Sequence, residues 1–143
     1  MRQLAGLCVW SVALLVETSA QGCAQTSGTI VVVMHGMKSD AGYMRVALFS
    51  PRDVFPSDKP FRGLSVPIRS REAQCVFENV PFGEYAVSAF HDENANQKLD
   101  MSIFGPTESY GFSNGARSFF PPPFERAKVS FHEKTLTVVI EVR

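Results

Sequence analysis

Val80-Pro81-Phe82-Gly83-Glu84-Tyr85-Ala86-Val87-Ser88-Ala89-Phe90 joins two extended segments through one turn. Pro81-Phe82-Gly83 is turn chemistry, because the proline fixes one φ and the glycine is free to take a positive one. Tyr85 to Phe90 is aromatic, β-branched or small throughout, which suits a pleated and half-buried strand. Period-2 geometry places Tyr85, Val87 and Ala89 on one face of it and Ala86, Ser88 and Phe90 on the other. Gln74 to Val80, before the turn, is a second extended segment, since its apolar residues are too few and too β-branched for a helix.

Moving outward, Ile30 to Met34 is a β-branched run and Tyr43 to Phe49 is another. His35 to Gly42 between them reads as the loop of a hairpin. Ser50 to Gly63 holds Pro51, Pro56 and Pro60 and therefore crosses the surface rather than joining a sheet centre. Leu64 to Arg69 is extended, and Leu136 to Val142 closes the chain as a strand rich in Thr, Val and Ile. Asp92 to His132 is long, rich in Gly, Pro, Asn and Ser, and without alternation, yet Phe104, Tyr110, Phe112, Phe119, Phe120 and Phe124 give it material to pack with. No segment shows helical periodicity. Short strands divided by turn signals predict one all-β sandwich over 28–143 with Greek-key connections.

The chain has 143 residues and 45% hydrophobic content, enough for the core of one domain. Lys plus Arg and Asp plus Glu both number 14, so no charge excess points to nucleic acid. Residues 1–20 have the layout of a cleavable signal peptide: Arg2, the apolar run Leu4 to Val16, then the small residues Thr18 and Ala20. The run is shorter than the roughly 20 residues that cross a bilayer, so the mature chain is expected to have no transmembrane segment and to work in the periplasm or outside the cell. Ala20-Gln21-Gly22-Cys23 also resembles a lipoprotein cleavage site, but lacks the usual large aliphatic residue at Ala20. Cys23 and Cys75 would survive processing, either bridged or as a terminal thiol and a buried one.

The chemistry concentrates after the Tyr85 strand. Asp92, Asn94, Asn96 and Asp100 stand at positions 1, 3, 5 and 9 of a loop, with Lys98 able to offer a backbone carbonyl at position 7, the spacing of a calcium loop. Position 6, usually glycine, is Gln97, and position 12, usually a bidentate glutamate, is Ile103, so calcium is expected to bind weakly. Glu93 or Glu108 could supply a missing carboxylate. The competing reading is an Asn-rich turn held by its own side-chain-to-backbone bonds. His91 beside Asp92 suggests an acid–base pair, although neighbours in a strand point to opposite faces. G-x-S-x-G, H-E-x-x-H and paired C-x-x-C signatures are absent. Tyr110-Gly111-Phe112-Ser113-Asn114 interleaves aromatics with amides and a hydroxyl, which suits stacking on a sugar or holding a peptide. It equally suits pinning a long loop to the sandwich.

The run from Val80 to Asn94, then Asn96, Lys98, Leu99 and Asp100, Phe104-Gly105-Pro106, Glu108, Tyr110 to Asn114, Pro122, Phe124, Glu125 and Ala127 together resemble a secreted bacterial family catalogued as domain of unknown function 2141. The resemblance extends from about Thr29 to the C-terminus. It implies a signal peptide, an envelope or extracellular location and an immunoglobulin-like or transthyretin-like sandwich. The family pattern is similar to Asp-Glu-Asn-Gly-Asn-Gly-Lys-Leu-Asp, and both of its glycines are replaced here, by Ala95 and Gln97.

The sequence therefore predicts a non-enzymatic binding or structural module of the envelope. His91, Tyr110, Phe112, Ser113 and Asn114 would form its binding surface for a glycan or peptide. The alternative is a periplasmic hydrolase or isomerase using His91 with Asp92 or Glu108. That alternative requires His91, Asp92, Glu108 and Ser113 to converge in a concave pocket.

Overall fold

A computed structural model describes residues 26–116 and 121–143. The leader, Cys23, Phe119 and Phe120 lie outside the described residues. The fold is an all-β sandwich. Among the described residues its strands are β1 (Ser27–His35), β2 (Tyr43–Phe49), β3 (Arg62–Pro67), β4 (Glu72–Pro81), β5 (Gly83–Asp92), β6 (Met101–Ser102), β7 (Gly105–Pro106), β8 (Tyr110–Phe112), β9 (Val129–Phe131) and β10 (Thr135–Glu141). A single 3₁₀ turn (Ser113–Gly115) and a one-turn helix α1 (Phe124–Ala127) interrupt them.

One sheet has the order β10-β1-β4, with β1 and β10 parallel; the other has β3-β2-β5-β8, with β9 also pairing β5. Alternation along β1 sends Ile30, Val32 and Met34 inward, where Cys75, Phe77, Val138 and Ile140 of the same sheet meet Met44, Val46, Leu48, Val87 and Ala89 of the opposite one. Burial of each such large side chain stabilises by roughly 1.5–3 kcal/mol. Tyr85, Val87 and Ala89 lie in this core, as period-2 geometry required. Tyr85 also donates its hydroxyl to the Pro81 carbonyl (2.9 Å), tying the start of β5 to the turn before it. Burial pushes the Cys75 thiol pKa up to about 12, so this cysteine behaves as an apolar core residue.

The expected hairpin between Ile30–Met34 and Tyr43–Phe49 is not formed, because β1 and β2 belong to different sheets. The connector does not reverse the chain beside itself. It turns Met37 into the core and crosses the end of the sandwich. Gly42, at φ +69°, passes so close to the Asp92 carbonyl that a β-carbon would overlap it. Local turn composition was compatible with either outcome, and the partners of β1 decided it.

The outer edge of β5 is shared by two short strands. Its C-terminal half pairs β8, with Ser88 opposite Phe112 and Phe90 opposite Tyr110; its N-terminal half pairs β9, with Gly83 opposite Phe131 and Tyr85 opposite Val129. Between them the Ser113 hydroxyl accepts the Val87 N–H (2.8 Å) and donates to the Ala127 carbonyl (2.5 Å). On the outer face of this sheet Ala86, Phe112, Ala116 and Ala127 form a second apolar cluster, joined by Phe55, Tyr110 and Phe124. Phe55 is its hub, edge-on to Phe49 (5.1 Å between ring centroids), Phe112 (5.8 Å) and Phe124 (6.0 Å). Both proline-rich and glycine-rich segments are thus pinned to the sheet by aromatics.

The two sheets meet along one seam, where Tyr110 and Arg143 exchange backbone hydrogen bonds of 3.1 and 3.2 Å. Gly111 makes this approach possible, since a β-carbon there would lie 2.7 Å from both the Glu141 carbonyl oxygen and the Ile140 side chain. Gly111→Ala should therefore lower stability by about 1–3 kcal/mol, the usual cost of overpacking. Urea denaturation checks this, and an unchanged midpoint would show that the seam has slack.

Candidate functional site

Two regions bring functional side chains together: the loop leaving β5, and a cleft on the outer side of the seam.

The loop is organised by one buried carboxylate. Asp92 is 0% exposed and ends β5. Its Oδ2 accepts the Arg45 guanidinium (2.8 Å) and the Gln97 N–H (2.9 Å), while Oδ1 accepts the Asn96 N–H (3.0 Å). Burial raises the Asp92 pKa, but the Arg45 and amide hydrogen bonds outweigh it and hold the carboxyl below its ordinary range. The Asn94 and Asn96 side-chain amides donate to the two Asp100 oxygens (2.6 and 2.8 Å). Their own Oδ1 atoms accept the Asn96 and Lys98 N–H groups (3.1 and 2.8 Å). Glu108, also buried, accepts the Glu93 N–H (3.0 Å) and the Asp100 N–H (3.1 Å).

Asp92, Asn94, Asn96 and Asp100 share one hydrogen-bonded loop. Their oxygens are met by N–H donors, and among the described residues no group of three or more His, Cys, Asp or Glu side chains is arranged to hold a metal ion. Ala95 (φ 58°) and Gln97 (φ 68°) are both left-handed. Glycine adopts such backbone most readily, so the loop holds it with side chains that disfavour it.

His91, Asp92, Glu108 and Ser113 do not converge in a concave pocket. His91 is 1% exposed, and its Nε2–H donates to the Ala41 carbonyl (2.7 Å), while its Nδ1 is 4.0 Å from Glu93. Asp92 serves Arg45, Glu108 serves the loop amides, and Ser113 bridges Val87 and Ala127. His91 and Ser113, expected at a binding surface, are thus enclosed by packing. Asn114 is exposed, and its amide donates to the Arg126 carbonyl (3.2 Å), fixing the turn onto α1.

Tyr110 and Phe112 are the predicted binding residues that line a cavity. The cleft has a volume of about 350 Å³, and its walls include Val139, Glu141, Arg143 and His35. This volume is at the small end of the range for ligand pockets. The Tyr110 and Phe112 rings stand edge to face (5.8 Å), and the Arg143 Nε and Nη2 both donate to Glu141 Oε1 (3.0 and 2.6 Å). His35 lies opposite Glu141 in the parallel pairing of β1 and β10. The wall therefore offers aromatic surface, a carboxylate, a guanidinium and an imidazole. Sequence reading missed His35, Val139, Glu141 and Arg143, whose proximity to Tyr110 depends on a strand pairing that no local pattern specifies.

Because the folded Asp92 pKa is depressed, its contribution to stability is fully present above about pH 4, the unfolded carboxylate range, and is lost as pH falls through the folded value. Arg45→Met should cost roughly 2 kcal/mol at pH 7, where it leaves a buried charge without its strongest partner. The difference from wild type should narrow towards pH 3 as Asp92 protonates. Gln97→Gly should instead add roughly 1 kcal/mol by relieving the left-handed backbone. Urea titrations of both variants at the two pH values decide these points. A pH-independent Arg45→Met penalty would remove Asp92 from the account.

No curated protein and no solved structure matches the chain. The family model described as uncharacterized protein conserved in bacteria, domain of unknown function 2141, matches residues 32–139, a span running from β1 to β10 that contains both the loop and most of the cleft wall. The chain belongs to this family.

Proposed function

We propose that the protein is an exported, non-enzymatic ligand-binding module of the bacterial cell envelope, and that the cleft beside Tyr110 is its working site. The observation that carries this reading is the cleft itself, where an aromatic ring lies beside the Glu141–Arg143 pair and His35. Aromatic faces give contact area at little entropic cost, and the charged and imidazole groups give directed hydrogen bonds, a combination suited to a small saccharide or the side chains of a short peptide. The leader-like residues 1–20 support export, with processing near Gln21.

The Asn-rich loop then has a supporting role, holding the segment that leads to β8. Calcium would have to compete with Arg45 and the amide N–H groups for Asp92, which puts its affinity in the weak extracellular class, about 10⁻⁴ to 10⁻³ M.

The test is an amide chemical-shift titration of the protein with a panel of oligosaccharides and peptides. A ligand should shift Tyr110, Gly111, Val139 and Glu141, and Tyr110→Ala should weaken its binding at least tenfold, the equivalent of about 1.4 kcal/mol. Shifts confined to other surfaces, or none with any member of the panel, would sink the cleft as the site. Intact mass of material recovered from the envelope tests export separately, and a chain still carrying Met1 counts against it.

A further inference from the structure

The hairpin of β6 and β7 presents the two most exposed large apolar side chains among the described residues, Ile103 at 92% and Phe104 at 85%, with Met101 at 65% beside them. None of the three joins either hydrophobic cluster, so the core gives no reason for them. Scattered single apolar residues at a surface need no explanation, but three within four positions at the end of one projecting hairpin do.

The construction of the tip is informative. Ser102 pairs with Gly105, leaving Ile103 and Phe104 as the two residues of the turn. The Ser102 hydroxyl donates to the Gly105 carbonyl (3.0 Å) and accepts the Phe104 N–H (3.2 Å). Two backbone polar groups at the tip are therefore satisfied within it, as an apolar surrounding requires. The base is fixed as well, because the Thr107 N–H and hydroxyl both donate to the Asp100 carbonyl (2.9 and 3.2 Å) and Asp100 is tied to Glu108.

The shape and charge of this end of the molecule select the occupant. A two-residue turn whose side chains are 92% and 85% exposed offers no flat face to a partner protein, whereas a bilayer closes around it. At the base Arg45 is spent on Asp92, and residues 92–108 carry Glu93, Asp100 and Glu108 besides Asp92 against one lysine, Lys98, an acidic balance that disfavours a negatively charged surface. We propose that the Met101–Gly105 tip inserts reversibly into the interfacial region of a zwitterionic lipid bilayer, apart from any ligand held in the cleft. With three side chains and no lipid chain, attachment is of the weak and reversible kind, half complete on the order of 1 mM accessible lipid.

A Phe104→Trp reporter in the chain processed near Gln21 reads the tip directly, because the one native tryptophan, Trp10, lies in the leader and leaves with it. Phosphatidylcholine vesicles should shift its emission to the blue, and lipids brominated near the headgroup end of the acyl chain should quench it. Adding Ile103→Ser should raise the lipid needed for half-saturation at least threefold without moving the melting temperature, since the tip contributes nothing to the core. Vesicles containing phosphatidylglycerol should bind no better than phosphatidylcholine alone. An emission spectrum unmoved by vesicles would overturn the proposal. So would a blue shift that grows with protein concentration in the absence of lipid, because a second copy would then be covering the tip.

Discussion

A strand buried on both faces must still find hydrogen-bond partners along both edges, and β5 meets this demand in an unusual way. β8 and β9 run in the same direction along its outer edge, one opposite Phe90 to Ser88 and the other opposite Tyr85 to Gly83. They are in effect one edge strand, cut in two by the excursion of residues 113–128. At the cut the ladder would break beside Val87. Instead the Ser113 hydroxyl takes the Val87 N–H and passes its own proton to the Ala127 carbonyl, at the point where the chain returns. A buried N–H left without a partner there would cost about 1–3 kcal/mol, so the neck of the excursion is closed by the same bond that completes the sheet. The arrangement also brings Ala127 and Phe124 into one apolar cluster with Ala86 on the outer face of the sheet.

The other end of β5 is terminated by charge. Asp92 lies where the strand stops, and its carboxylate turns the following residues back on themselves by collecting two backbone N–H groups. Arg45 of β2 neutralises it across the sheet, in register with Phe90 and next to the Tyr43–Asp92 pair. The loop is thereby coupled to the sheet it leaves, and its turns accept left-handed residues at Ala95 and Gln97. In this chain the anion of Asp92 is balanced by Arg45, and the Asn96 and Gln97 N–H groups it accepts hold the turn that contains the left-handed residues.

Much of the architecture was legible because it depends on local rules. The alternation of Tyr85 to Phe90 named both faces of β5, and of the aromatics in the long segment Tyr110, Phe112 and Phe124 pack on the sheet as expected, whereas Phe104 stands exposed. The spacing of Asp92, Asn94, Asn96 and Asp100 marked a loop in which these side chains are hydrogen-bonded to one another and to the loop backbone. It could not say whether their oxygens face a cation or N–H groups, because position 1 of a calcium loop and a carboxylate capping a turn use the same residue type. What failed depended on distant pairing. His35 to Gly42 has hairpin composition, yet its strands belong to opposite sheets. Ser113 and His91 carry chemistry in their side chains but are consumed by structure, while Glu141 and Arg143 looked like the end of a plain strand and line the cleft.

The cleft and the seam have one cause. β8 can reach the end of β10 only because Gly111 has no side chain to strike Glu141 and Ile140. Gly115 and Ala116 follow in the same wall, so three neighbouring positions contribute little or nothing to fill the space beside Tyr110. Larger residues at these positions would push the sheets apart at Gly111 or occupy the concavity at Gly115 and Ala116. Small residues that allow backbones to meet therefore leave a hollow next to the point of contact, and the two sheets bring opposite chemistry to it: aromatic rings from β8, and charged and imidazole groups from β10, the residues after it and the end of β1. The cavity is a consequence of how the sandwich closes, and its polar side is set by the parallel register that puts His35 beside Glu141.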